Sequence, residues 1–244
     1  MPHLDVDTDF DPTDTTLVEG LPGAGLVGKI AADHLVETFD MTHVGGVYCD
    51  GIPDVAVYHG NDSALLPPVR LYGDAERELL VLQSDVPVSP EEADCFADCI
   101  TEFIGNHDIT PLYLSGLPEE KNGSPELYGI ATTSADARLD EAGIVPPRVG
   151  GMVSGPTGAL LATAREVDLP AIGLVAETDA RFPDPESART VITGGIEPLT
   201  GIDVDTGELV EHAEDIREAR EQLAQRMEDA GEESTQARPL RGFQ

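Results

Sequence analysis

The stretch from Thr16 to Phe39 constrains the fold more than any other part of the chain. Residues 15–19 form a short apolar run. Gly20-Leu-Pro-Gly-Ala-Gly-Leu-Val-Gly28 is a glycine-rich turn, and residues 26–39 place Leu26, Ile30, His34 and Leu35 near one face of a helix. A strand that passes through a tight glycine turn into a helix opens an α/β unit. Gly23, Gly25 and Gly28 also spell G-x-G-x-x-G, the pattern that brings a pyrophosphate to a helix N-terminus in dinucleotide folds. Two readings of the turn therefore compete: a phosphate cradle, and a packing device that lets a helix lie close on a sheet.

The rest of the chain continues the alternation. Residues 43–48 read as a strand, and 55–58 with 64–72 as a hairpin broken by Gly60-Asn-Asp62 and Pro67-Pro68. Residues 78–83 form a continuous apolar strand of the kind buried on both faces. Ser89-Pro-Glu-Glu92 reads as a capped helix start, with Ser89 as N-cap, for a helix that runs to about Asn106. Strands follow at 110–115, 127–132 and 170–176, with helices at 134–142, 159–167 and 184–193. A second glycine-rich run, Gly150-Gly-Met-Val-Ser-Gly-Pro-Thr-Gly158, leads into the helix at 159–167. The pattern predicts a three-layer αβα sandwich around a mixed, largely parallel sheet. Residues 1–14 form an acidic N-terminal arm. Residues 15–230 make a single α/β domain ending in a long amphipathic helix over 206–230, and 231–244 are a flexible C-terminal tail.

Charge narrows the function. Fourteen basic residues face 47 acidic ones, for a net charge of −33, and the acids are spread along the whole chain. An even spread reads as a solvation strategy, and the composition predicts a halophilic protein. At 1 M salt the Debye length falls to about 3 Å, which screens the self-repulsion. No basic patch is present to release counterions from nucleic acid, so none is expected as a partner. No window is apolar for long enough to span a membrane, and the first residues show no signal peptide, so the expected location is cytoplasmic. Cys49, Cys95 and Cys99 read as reduced thiols, with Cys95 and Cys99 as small buried hydrophobes on the helix near 89–106. His34, His43, His59 and His107 have no ligand spacing, and no metal is expected.

Candidate ligand contacts cluster at strand ends. Asp50 closes the strand at 43–48 about where a dinucleotide fold needs an acid for the ribose, so Gly23, Gly25, Gly28 and Asp50 are the candidate nucleotide contacts. Pro22 inside the turn, and a hairpin where another βα unit should follow, oppose that reading. Ser154 and Thr157 stand at a predicted helix start and can hold an anion. The G-x-S-x-G elbow is absent, since Met152 stands two residues before Ser154. Ser84-Asp85 and Ser115-Gly116 end strands on the side where α/β ligands bind. No set of residues assembles catalytic machinery, and no cofactor is expected.

Taken as a longer string, Gly20-Leu-Pro-Gly-Ala-Gly-Leu-Val-Gly28 followed by Ala31-Ala-Asp-His-Leu35 resembles the opening of the archaeal proteasome assembly chaperones, the family related to the second eukaryotic proteasome assembly chaperone. Gly158-Ala-Leu-Leu-Ala162, Asp168-Leu-Pro-Ala-Ile-Gly-Leu-Val175, Asp184 to Ala188, and Thr206-Gly-Glu-Leu209 extend the likeness over roughly 15–230. The resemblance implies an α/β fold like that of nucleoside phosphorylases, a homo-oligomer and a non-enzymatic chaperone-like role. It also implies 20S proteasome α subunits as partners, engaged through a C-terminal hydrophobic–tyrosine–any motif. Here Phe243 stands for the aromatic, Gln244 supplies the carboxylate and Arg241 precedes them. Gly242 departs from the pattern, and Phe243 lacks the hydroxyl. The alternative is a small-molecule (nucleotide or phosphate) binding protein or enzyme that uses the glycine turn. An ATP-grasp site is disfavoured, because Lys29 and Lys121 are the only lysines.

Overall fold

The computed structural model describes residues 3–7, 9–58, 63–119 and 123–211. Eight strands make one sheet: β1 (His3–Val6), β2 (Thr16–Gly20), β3 (Thr42–Tyr48), β4 (Val69–Asp74), β5 (Leu79–Ser84), β6 (Thr110–Pro118), β7 (Leu127–Ala131) and β8 (Ile172–Thr178). Their order across the sheet is β1-β3-β4-β5-β2-β6-β8-β7. β2 pairs in parallel with β5 and β6, and β6 with β8, while β4 and the edge strands β1 and β7 run the other way. The central strands are continuous apolar runs, as strands covered on both faces must be. All six residues of β5 are buried.

Side chains alternate between two cores, as the two-residue period of a strand requires. Val18, Val81, Leu112, Leu114 and Leu174 face one layer, and Leu17, Leu80, Leu82 and Tyr113 the other. The first layer holds α1 (Val27–Thr38), α3 (Asp136–Glu141) and α5 (Pro185–Val191). The second holds α2 (Ala93–Asn106) and α4 (Gly155–Glu166), which pack on each other. The predicted three-layer α/β architecture is present. α5 leads through a π turn at Ile192–Ile196 into a short α6 (Glu197–Thr200). A Cβ on Gly195 would sit 2.6 Å from Leu174 Cδ1, so glycine lets this turn lie close on the sheet.

Several boundaries differ from the sequence reading. Among the described residues, the hairpin of 55–58 with 64–72 is reduced to one bridge between Val57 and Leu66, and β4 starts only at Val69. Pro67 and Pro68 have no N–H to continue a ladder. Ser89 does not cap α2. Its hydroxyl donates to Glu91 Oε2 at 2.8 Å, and a 3₁₀ turn at Pro90–Glu92 comes before the helix. α4 starts at Gly155, inside the second glycine-rich run rather than after it. Cys95 and Cys99 are only partly buried, whereas Cys49 is in the core. Part of the N-terminal arm is ordered as β1, antiparallel to β3. Of the C-terminal helix, 207–211 are helical with Leu209 buried, and the remainder lies outside the described residues.

Candidate functional site

The two glycine-rich turns meet at the C-terminal ends of the parallel strands. After β2 the chain makes a 3₁₀ turn, Ala24–Leu26, with Gly25 at φ 62° and Leu26 at φ 53°. Gly25 is needed twice over. Its φ is left-handed, and a Cβ there would land on the Thr178 hydroxyl at the end of β8. Thr178 donates to Asp184 Oδ2 at 2.9 Å, and Asp184 N–H donates to the Gly25 carbonyl at 2.8 Å. Asp184 also caps α5 by accepting from Ser187 N–H at 3.2 Å. Gly116, at the end of β6, leaves room for the Ala24 carbonyl, and Gly28 lets α1 approach Leu114 on the sheet. The space beside Gly25, where a cradle would receive phosphate, is thus occupied by Thr178 and the α5 cap. Gly23 has open space around it.

Beneath the turn lies Glu19, fully buried. Its Oε1 accepts from Leu21 N–H at 3.0 Å and from the Thr157 hydroxyl at 3.2 Å, and its Oε2 accepts from Leu114 N–H at 3.0 Å. One carboxylate therefore ties together the first glycine turn, β6 and the start of α4. Burial pushes its pKa up to about 7 against the opposing pull of these three donors. Burial, and then the Glu19 charge, also raises the neighbouring Tyr113 phenol. Motif and spacing do not single out Glu19. Its one visible signal is an acid inside the apolar run of β2, immediately before Gly20.

A second polar network sits on the α1 side of β4 and β5. Lys29 Nζ lies 2.8 Å from Asp33 Oδ2 and 3.3 Å from Asp85 Oδ1. Fully buried Arg70 donates to Asp85 Oδ2 at 2.6 Å, to Tyr72 Oη at 3.1 Å and to the Pro67 carbonyl at 3.2 Å. Gln83 Nε2 donates to Asp33 Oδ1 at 2.6 Å. Burial works to raise the Asp85 pKa, but the hydrogen bonds and charges of Arg70 and Lys29 outweigh it and hold the carboxyl below its ordinary value. Asp85, a strand-end candidate by sequence, is thus committed to charge compensation. Asp85→Ala is expected to destabilise the fold by about 2 kcal/mol, because a buried guanidinium loses the Asp85 carboxylate while keeping Tyr72 and Pro67. Chemical denaturation in molar salt measures this, and an unchanged midpoint would contradict it.

The other sequence candidates are dispersed. Asp50 is exposed past the end of β3, and Cys95 Sγ lies 3.9 Å from its Oδ2. Because β4 and β5 lie between β3 and β2, three strand spacings of about 4.8 Å put Asp50 about 14 Å from the glycine turn. A dinucleotide fold places the corresponding strand next to the first. Ser154 is the exposed N-cap residue of α4 and makes no capping bond through its side chain, whereas Thr157 turns inward to Glu19. Arg241, Phe243 and Gln244 lie outside the described residues. Among the described residues, no group of three or more His, Cys, Asp or Glu converges as a metal site, and no helix is long and apolar enough to cross a membrane.

Fold and site together define an α/β protein in which Gly25, Gly28, Glu19 and Asp85 are engaged in internal contacts. The chain belongs to the PAC2 family, whose model matches residues 17–224. Its fold superimposes on Pyrococcus furiosus PbaA, an archaeal homolog of proteasome-assembly chaperone, with a TM-score of 0.78 and 26% identity over 96% of both chains. Pyrococcus furiosus PbaB, an archaeal proteasome activator, shares the fold at a TM-score of 0.75 and 22% identity, over 91% of this chain and 98% of PbaB. An uncharacterized protein of Methanocaldococcus jannaschii is 29% identical over 86% of this chain and 85% of its own length.

Proposed function

We propose that this protein is a non-enzymatic, homo-oligomeric chaperone-like member of its family. In this reading it engages the α-ring of the 20S proteasome through its last residues. The observation that carries the proposal is the end-to-end likeness to PbaA, which spans 96% of both chains. The filled glycine turn supports it, since Thr178 takes the space that a bound phosphate would need beside Gly25. Exposed Tyr58, Leu65 and Met152 offer apolar surface for subunit contacts on an otherwise strongly acidic chain. Phe243 is the aromatic anchor, with Arg241 and Gln244 flanking it. The working environment is a cytoplasm of molar salt, which screens the charge of −33.

The test is recovery of purified 20S particles on the immobilised full chain in molar potassium chloride, with and without residues 242–244. Removing them is expected to lower recovery at least tenfold, equivalent to about 1.4 kcal/mol. Equal recovery by both forms would rule out the tail mechanism.

A further inference from the structure

Cys49 comes together with Cys95 and Cys99, some fifty residues further on, where the exit of β3 meets the first turns of α2. Ser89 N–H donates to the Gly51 carbonyl at 2.9 Å, and a Cβ on Gly51, at φ 90°, would stand 2.6 Å from Glu92 Cβ. The loop carrying Cys49 is thereby held against the start of α2. Cys49 is buried in the core on this face of the sheet, and Cys99 packs against the same core. The Cys49 and Cys99 side chains interact, which raises the Cys49 thiol pKa and lowers that of Cys99. Cys95, one turn earlier on α2, points toward Asp50. Cys95 and Cys99 also line an open cavity of about 580 Å³ together with Asp98, Glu102 and Phe103.

These positions divide the labour between two sulfurs. Cys99 lines the cavity, and its interaction with Cys49 favours the thiolate, so it is the accessible nucleophile. Cys49 is covered by the core and interacts with Cys99, so it can resolve an oxidised sulfur there but cannot readily meet an oxidant itself. Asp98 and Glu102 line the cavity and Asp50 lies beside Cys95, and this negative charge favours a neutral oxidant over an anionic one.

We propose that Cys49 and Cys99 are a reversible oxidation site that closes to a disulfide when a neutral hydroperoxide enters the cavity. The Cys99 sulfur attacks the peroxide O–O bond, which breaks to give a Cys99 sulfenic acid and one molecule of alcohol, or of water from hydrogen peroxide. The Cys49 sulfur then attacks the Cys99 sulfur and displaces its hydroxyl, which leaves as water with the remaining thiol proton. The balance is two thiols and one hydroperoxide to one disulfide, one alcohol and one water. The bond pins the β3 exit to α2, and a dithiol reductant reopens it.

Peptide mapping of the full chain tests this directly. The protein in molar salt is exposed to hydrogen peroxide, alkylated, digested without reductant and analysed by mass spectrometry. The expected product is a peptide pair joined through Cys49 and Cys99, lighter by two hydrogen atoms, with Cys95 alkylated and the bond reversed by dithiothreitol. Cys95→Ser should keep the bridge and Cys99→Ser should lose it. The proposal is overturned by sulfinic or sulfonic acid at Cys95 or Cys99 with Cys49 still a thiol, by a bridge that uses Cys95, or by a bridge between chains. The wild-type map alone distinguishes these outcomes should a variant fail to fold.

Discussion

Gly25→Val is expected to destabilise the protein by about 4 kcal/mol, while Gly23→Ala, two residues earlier in the same motif, should change stability by less than about 0.5 kcal/mol. At Gly25 a side chain meets two penalties. The backbone is left-handed at φ 62°, and the Thr178 hydroxyl occupies the position of a Cβ. Thr178 cannot easily move aside, because it is hydrogen bonded to Asp184, which in turn caps α5 and holds the Gly25 carbonyl. At Gly23 the backbone is extended at φ −142°, and nothing lies within 4 Å of the point a Cβ would take. Denaturant midpoints for the two variants in molar salt measure the contrast. Equal, small losses at both positions would mean that the turn is not packed against β8 and α5 as described.

Glu19 should give the protein a distinct pH dependence. Its folded pKa of about 7 lies above the ordinary 4.5, so between those values the folded state holds a proton that the unfolded state has released. The associated stability is fully present below about 4.5 and is lost as pH rises through about 7. The gap corresponds to about 3 kcal/mol. Glu19→Gln cannot ionise and should lack this component, so its stability at pH 8 relative to pH 5 should fall less than that of the parent. The amide also sets N–H groups against a site lined by Leu21 N–H, Leu114 N–H and the Thr157 hydroxyl, and should therefore lower stability at pH 5. Unfolding free energies of both proteins at the two pH values, in the same molar salt, decide the matter. Parallel pH profiles would refute the buried ionisation of Glu19.

Local structure is largely visible in the amino-acid pattern. The apolar run at 78–83, the helical spacing after the first glycine turn, and Asp184 ahead of Pro185 each announce an element that is present as β5, α1 and α5. What the pattern does not convey is adjacency. β3 follows β2 and α1 in sequence yet lies three positions from β2 in the sheet, and this distance separates Asp50 from the glycine turn. Strand order is decided by packing among residues far apart in the chain, which no local window records. The same limit hides the meeting of Gly25 with Thr178, of Glu19 with Thr157, and of Cys49 with Cys99. Pro67 and Pro68 carry a local signal that outweighs their neighbours, since a missing N–H ends a ladder even where the flanking residues favour strand.

The proposed role requires that this protein touch the proteasome through its last residues. The most direct measurement replaces Phe243 with the photoreactive benzoylphenylalanine in the full chain, mixes it with purified 20S particles in molar potassium chloride, and maps the cross-links after illumination. Tail docking predicts cross-links to α subunits, which the unlabelled full chain in excess should suppress. An absence of cross-links under conditions where the two proteins co-sediment, or cross-links only between copies of this protein, would contradict it.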